Sequence, residues 1–313
     1  MTFLERSLIA VAQAVLAFWA LVKTIFAWIG AGLDTILQPV LSQLLRLLNP
    51  ICTIVADAVY KLFQPFPPWV GLVVISAAAG VVMLIAFRYL SHQKEIARAK
   101  DDIKANLLAL KLFKDDLRVA LRAQVRILWA LIRLQRYILV PVLWMALPTM
   151  LLLAQMAMRY QWRPLLPGEQ FLLKVHSPSS GARASGARIE PNEGIEVEVG
   201  PIAASGDVAW RIRTVKPGRH TIHVHAGSVW EKEIVVGEPI QRVSPFRPGP
   251  NWITQLLYPI ETPLELASSK EAVEISYPEL KSYIHGSGYW VLTFFVVSML
   301  TAIVLKPLFK VRF

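Results

Sequence analysis

The sequence predicts an α-helical membrane protein: three core spans with a candidate fourth near the N-terminus, a cytoplasmic antiparallel coiled-coil hairpin, and an inserted all-β, immunoglobulin-like sandwich. Three observations predict it. The 313 residues are 55% hydrophobic with a mean hydropathy of +0.46, too apolar for an ordinary soluble domain. Three charge-free runs, 69–87, 137–158 and 289–305, each come close to the roughly 17 to 25 apolar residues that ~30 Å of hydrocarbon requires. Between 169 and 238 the hydrophobic period switches from helical to two, the signature of half-buried strands.

Residues 1–67 read as amphipathic or membrane-lateral helices. At 100° per residue, Glu5, Arg6, Gln13, Lys23, Asp34, Gln38, Ser42, Arg46 and Asn49 gather on one side, while Phe18, Trp19, Phe26, Leu33, Leu37 and Leu44 mostly fall outside it. That phase fits a helix lying in the interface and bent near Gly30, Gly32 and Pro39. The competing reading is a span over 8–29 with Lys23 snorkelling or packed inside. The start has Glu5 beside Arg6, no basic leader and no clear cleavage site, so it is expected to be retained.

"FQPFPPWVG" breaks the chain before the span at 68–90. Within that span, Ser76 to Gly80 offer a small-residue surface for close helix approach. Arg88 marks its end, as a headgroup anchor or as a charge at the mouth of a polar groove.

Residues 91–136 read as a basic helical hairpin. Ile96, Ala99, Ile103, Asn106 and Leu110 are spaced 3, 4, 3, 4; after "KLFKDD", Leu117, Leu121, Gln124, Leu128, Leu131 and Gln135 are spaced 4, 3, 4, 3, 4. Asp115 or Asp116 is available as N-cap. Pairing Leu110 with Leu117 places Ile103 opposite Gln124 and Asn106 opposite Leu121. Each arm would reach roughly 30 Å. Lys111, Arg118, Arg122, Arg126 and Arg133 lie opposite the seam. That stripe is a solvated face, or it meets lipid headgroups or ribosomal RNA. With little aromatic interleaving beyond Trp129, sequence-specific nucleic-acid readout is disfavoured.

The second span, 137–158, contains Pro141, Pro148 and Gln155. A linker at 159–168 leads to the sandwich at 169–238, where "FLLKV", "IEVEVG", "VAWRIRTV", "HTIHVHA" and "VWEKEIVV" alternate with turn-forming stretches. Residues 239–288 read as a linker and an interfacial segment, with "NWITQLLYPI" as a short helix. The last span, 289–305, places the hydroxyls of Thr293, Ser298 and Thr301 in the membrane, and 306–313 forms a basic tail with Lys306, Lys310 and Arg312.

Charge sets the expected orientation. Residues 88–136 hold twelve Lys or Arg against five acids, whereas 159–281 hold fourteen of each. The positive-inside rule therefore puts 88–136 and the C-terminus in the cytoplasm and 159–288 on the exported side. Cys52 is the only cysteine, so no intrachain disulfide and no Cys-rich metal site can form. His223 and His225 share a strand face and would hold zinc only with a third ligand such as His176. The alternation instead points them to solvent, opposite Ile222 and Val224. Nucleotide-binding glycine motifs, a nucleophile elbow and a His-Glu-x-x-His helix are all missing from the sequence. The chain is expected to be neither an enzyme nor a cofactor protein.

The order of span, basic hairpin, span, exported insertion, span and basic tail, together with the style of "FRYLSHQKEIARAKDDIKANLLALKLFKDDLRV", resembles the YidC/Oxa insertase superfamily, most closely its minimal three-span branch. The resemblance covers 69–158 and 289–313. It implies a groove open to cytoplasm and lipid, with Arg88, Ser76, Gln155, Thr293, Ser298 and Thr301 as its polar lining. It also implies a hairpin that engages nascent membrane proteins or the ribosome. The sandwich is an addition to the minimal pattern and is expected to bind an envelope protein. A bacterial inner-membrane location completes that expectation, and the alternative is a non-catalytic scaffold whose sandwich and hairpin each bind a partner.

Overall fold

The structure, a computed structural model, describes residues 38–113, 117–176, 187–190, 193–204, 207–225, 229–237, 241–264 and 272–309. The 8–29 span, the Asp115 or Asp116 cap, and Lys310 and Arg312 lie outside the described residues. Helices are α1 (Gln38–Phe63), α2 (Pro68–Leu90), α3 (Gln93–Leu112), α4 (Leu117–Tyr160), α5 (Trp252–Leu257) and α6 (Tyr289–Phe309). Four of them, α1, α2, α4 and α6, are long and apolar enough to cross a membrane. The three runs read as spans are therefore joined by a fourth long apolar helix at 38–63, within the stretch expected to be amphipathic.

Helix α2 starts at a proline, whose missing N–H costs nothing in a first turn, and ends where Ser91 turns extended. It packs tightly on α6 because Gly80 has no Cβ; one there would collide with the backbone carbonyl of Ser298. At one end of the bundle Leu72 and Ala79 meet Met156 and Tyr160 of α4 and Trp290 and Phe294 of α6. At the other, Leu84 and Phe87 meet Tyr137 and Ile138 of α4 and Ala302, Leu305 and Phe309 of α6. Helix α4 is thus antiparallel to α2. At 44 residues, with Pro141 and Pro148 inside it, it runs about 66 Å without a break.

Helices α3 and α4 form the expected hairpin, with Arg133 reaching Asp102 at 3.9 Å. The seam of α3 is the one the heptad gives: Ile96 and Ala99 are buried and Ile103, Asn106 and Leu110 half-buried. The seam of α4 is displaced. Ala123 (4% exposed) and Ala130 face inward with Ile127 and Leu134, whereas Leu121, Gln124, Leu128 (59% exposed), Leu131 and Gln135 are exposed. The expected pairs of Gln124 with Ile103 and Leu121 with Asn106 are therefore not made. Alanine lets two helix backbones come close, and that gain in contact outweighs burying leucine across a wider gap.

Beyond α4 the chain forms two antiparallel sheets. Strands are β1 (Gln170–His176), β2 (Arg188–Ile189), β3 (Ile195–Ala204), β4 (Asp207–Thr214), β5 (Gly218–His225), β6 (Val229–Val236), β7 (Phe246–Arg247) and β8 (Ala272–Ile275). Their orders are β3-β4-β1-β8-β7 and β2-β5-β6. Residues of both sheets, including Leu173, Trp210, Ile222, Ile234 and Val273, build one core. Segment 239–288 contains α5, within "NWITQLLYPI", and beyond the linker and short helix expected of it supplies β7 and β8. Lys232 occupies an inward position of β6 and is fully buried. Burial pushes its ammonium pKa down, opposed by Glu261. The charge is accommodated by an ion pair with Glu261 and a 2.7 Å bond donated to the Ser244 carbonyl, the pairing a buried ion requires.

The displaced seam is checked by two substitutions in the full chain. Ala123→Leu overpacks the α3–α4 contact and lowers stability by about 1 to 3 kcal/mol, while Leu128→Ala, on the exposed face, changes it by less than ~0.5 kcal/mol. Thermal unfolding in detergent reads both; the reverse ranking restores the leucine seam.

Candidate functional site

The residues assigned to a polar groove do not gather into one. Ser76 donates to Leu72 O at 2.6 Å, Ser298 to Phe295 O at 3.2 Å, Thr301 to Val297 O at 2.8 Å and Thr293 to Ile284 O at 2.8 Å. Each hydroxyl is thereby satisfied by a nearby backbone carbonyl. Arg88 is exposed at the hairpin end of α2, 6.0 Å from the Tyr89 ring. Gln155 turns instead to α1, and leads to a polar seam that the sequence reading missed.

That seam is built from two ladders of equal pitch. Helix α1 carries Asn49, Thr53 and Asp57 four residues apart, and α4 carries Gln155 and Arg159 with the same spacing. Residues four apart lie above one another on a helix face, so two helices running the same way can match rung to rung. Gln155 donates to Thr53 Oγ1 at 2.8 Å, and Arg159 pairs with Asp57. Arg242, from the chain between β6 and β7, donates to the other Asp57 oxygen at 2.6 Å. The Arg159 guanidinium lies 4.1 Å from the centroid of the Tyr60 ring, a cation–π contact that a desolvated arginine favours.

Helix α5 closes the seam. Asn251 caps it, accepting from Ile253 N at 2.8 Å, and Trp252 and Leu256 pack with Leu45 of α1 and Leu147 and Leu151 of α4. Leu151 lies nine residues before Tyr160, about 13 Å along the helix. Asn49 donates to Gln255 O at 2.9 Å, while Gln38 and Gln255 both donate to Pro250 O, at 2.7 and 2.9 Å. The bonds of Asn49 and Gln255 use their amide N–H groups and leave their amide oxygens, whereas Gln38 Oε1 also accepts from Trp252 N at 3.4 Å. Asn49 Oδ1, Gln155 Oε1, Gln255 Oε1 and Arg159 Nε are buried without a protein hydrogen-bond partner among the described residues. Gln255 is 1% exposed and Arg159 9%. Orphaned groups so concentrated mark a place for water or a polar ligand.

Where α1 and α2 meet the β domain, the seam opens into a cavity of about 670 Å³ lined by Asp57, Tyr60, Lys61, Arg159, Tyr160 and Arg242 among others. The β domain is anchored at the same end, where Val243 N donates to Met158 O at 2.9 Å; Gln161, just after α4, accepts from the Trp290 indole of α6 at 2.9 Å.

The remaining expected residues sit elsewhere. Lys111, Arg118, Arg122, Arg126 and Arg133 are all exposed on the hairpin. His225 bonds to Glu190 at 2.6 Å, and this bond holds the Glu190 carboxyl below its usual range. His223 lies 3.8 Å from Glu231. His176 belongs to the other sheet, between Asp207 at 3.1 Å and Glu274 at 2.9 Å, so it is not a third ligand for the pair. Among the described residues there is no cluster of His, Cys, Asp or Glu suited to a metal ion. No family model, curated protein or solved structure matches this chain.

The seam's charge balance hangs on one carboxylate. Asp57→Asn leaves Arg159 and Arg242 without a neutralising partner and costs about 3 kcal/mol, read as a lowered Tm of the full chain in detergent or nanodiscs. An unchanged Tm would mean that the pairing carries no stability.

Proposed function

We propose that the chain is a membrane-protein insertase or chaperone of the bacterial inner membrane. In this reading the α3–α4 hairpin and the C-terminus are cytoplasmic and the two-sheet, immunoglobulin-like domain is exported. The observation that carries the reading is the uncovered apolar face of the hairpin. Leu121, Val125, Leu128, Leu131 and Ile132 are exposed beside Arg122, Arg126 and Arg133. An exposed leucine-rich surface of that kind awaits a partner. Because α4 is continuous, an apolar client segment held there is already at the mouth of the bundle. The incompletely bonded seam adds a polar path at the opposite end, where polar groups of a client would otherwise lose their hydrogen bonds to water. No cofactor or nucleotide is needed; membrane lipids, nascent membrane proteins and the ribosome are the expected partners.

A second reading, a scaffold that binds an envelope protein through the β domain and a cytoplasmic one through the hairpin, is favoured by a different observation. Asp57 ties α1 to both Arg159 of α4 and Arg242 of the β domain, so hairpin and β domain are joined by one braced helix.

Depletion followed by an insertion assay on single-span proteins with short exported tails separates the two. The insertase reading expects insertion to fall, nascent chains to crosslink to the hairpin, and a Leu128→Glu, Leu131→Glu variant to lose on the order of tenfold in rate at unchanged Tm. Normal insertion of all such clients without crosslinks defeats it and leaves the scaffold.

A further inference from the structure

The cavity at the junction of α1, α2, α4 and the β domain has a lining whose charges do not cancel. Lys61, Arg159 and Arg242 face a single carboxylate, Asp57, while Arg219, also in the lining, is engaged by Glu233 at 2.7 Å. Arg159 is nine-tenths buried, and its Nε donor has no partner. Such an excess of guanidinium and ammonium in a recess calls for an anion, and guanidinium forks match the oxygens of phosphate. The same lining includes Phe63, Phe66 and Tyr160, and the outer face of α1 beside it exposes Val59 and Leu62. At about 670 Å³, the space lies in the range of small-molecule sites.

We infer that this cavity binds a phosphate group, presented by the headgroup of an anionic phospholipid whose glycerol and upper acyl chains lie along Phe63 and Phe66. Arg159 and Arg242 hold the phosphate oxygens, with Asp57 fixing both guanidinium groups, and Lys61 supplies the charge at the rim. The site stands on the cavity alone and does not depend on the insertase reading. Its consequence is mechanical: a bound lipid joins α1, α4 and the β domain in addition to Asp57.

Full-length protein in detergent, titrated separately with phosphatidylglycerol, phosphatidylcholine and inorganic phosphate, tests the assignment by native mass spectrometry and thermal unfolding. The expected result is one phosphatidylglycerol retained per chain, roughly tenfold more tightly than phosphatidylcholine. Lys61→Gln, at an exposed position, weakens that retention by about tenfold with the lipid-free Tm unchanged. Arg242→Gln weakens it further. A Tm rise with inorganic phosphate that Lys61→Gln abolishes, without preference between the lipids, keeps the phosphate site and makes its source soluble. Retention of both lipids alike by wild type and both variants, with no phosphate-dependent Tm shift, overturns it.

Discussion

Asp57 is the point on which the arrangement of the chain turns. Its two oxygens receive one arginine from α4 and another from the β domain, and so a single carboxylate near the end of an apolar helix fixes three parts at once. The reason is desolvation. A guanidinium buried to the extent of Arg159 is tolerable only when paired, and the orientation that satisfies it also sets the rotation of α1 about its axis. With α1 so turned, Thr53 meets Gln155 and Asn49 meets α5, while Val40, Leu44, Leu47, Ile51 and Ile54 are left outward. The exposed apolar stripe of α1 is thus a consequence of its polar stripe.

Close approach governs the other two contacts. Gly80 allows α2 to ride on the backbone of α6, and alanines at 123 and 130 allow α4 to lie near α3. At both places small residues let helix backbones come close and gain dispersion contact. At the hairpin the same choice displaces leucines outward, where they acquire a different use. The apolar face and the arginine stripe of α4 are therefore two results of one packing decision.

These facts explain what could be read from the sequence and what could not. The candidate spans over 69–87, 137–158 and 289–305 follow from length and absence of charge, and the α3 seam from its heptad. The α4 seam did not follow, because two competing heptads run through 117–135 and hydropathy ranks leucine above alanine although sterics prefer alanine. The groove residues were chosen for being polar within spans, yet a serine or threonine on a helix can satisfy itself on a carbonyl in the preceding turn. Ser76, Ser298 and Thr301 do so. Lys232 breaks the inward alternation of β6, and only its partner Glu261, 29 residues away, makes the position intelligible.

The seam itself did leave a trace in the sequence. Asn49, Thr53 and Asp57 recur every four residues through a run that is otherwise apolar, and Gln155 and Arg159 repeat the spacing about a hundred residues later. Either ladder alone is ambiguous, since a polar stripe on an apolar helix fits an interfacial helix as well as a buried contact. Two ladders of equal pitch are less ambiguous, because parallel helices bring them into register, so that Gln155 meets Thr53 and Arg159 meets Asp57. Their incomplete bonding is the informative part. Side chains selected only to lock α1 onto α4 would leave few acceptors idle. Amide oxygens at 49, 155 and 255 remain idle along the seam, and the Nε of Arg159 remains idle in the lining of a recess with surplus positive charge. A seam built solely for adhesion has no use for them, whereas one that holds water does: the amide oxygens accept from water, and Arg159 Nε–H donates to water or to a phosphate oxygen.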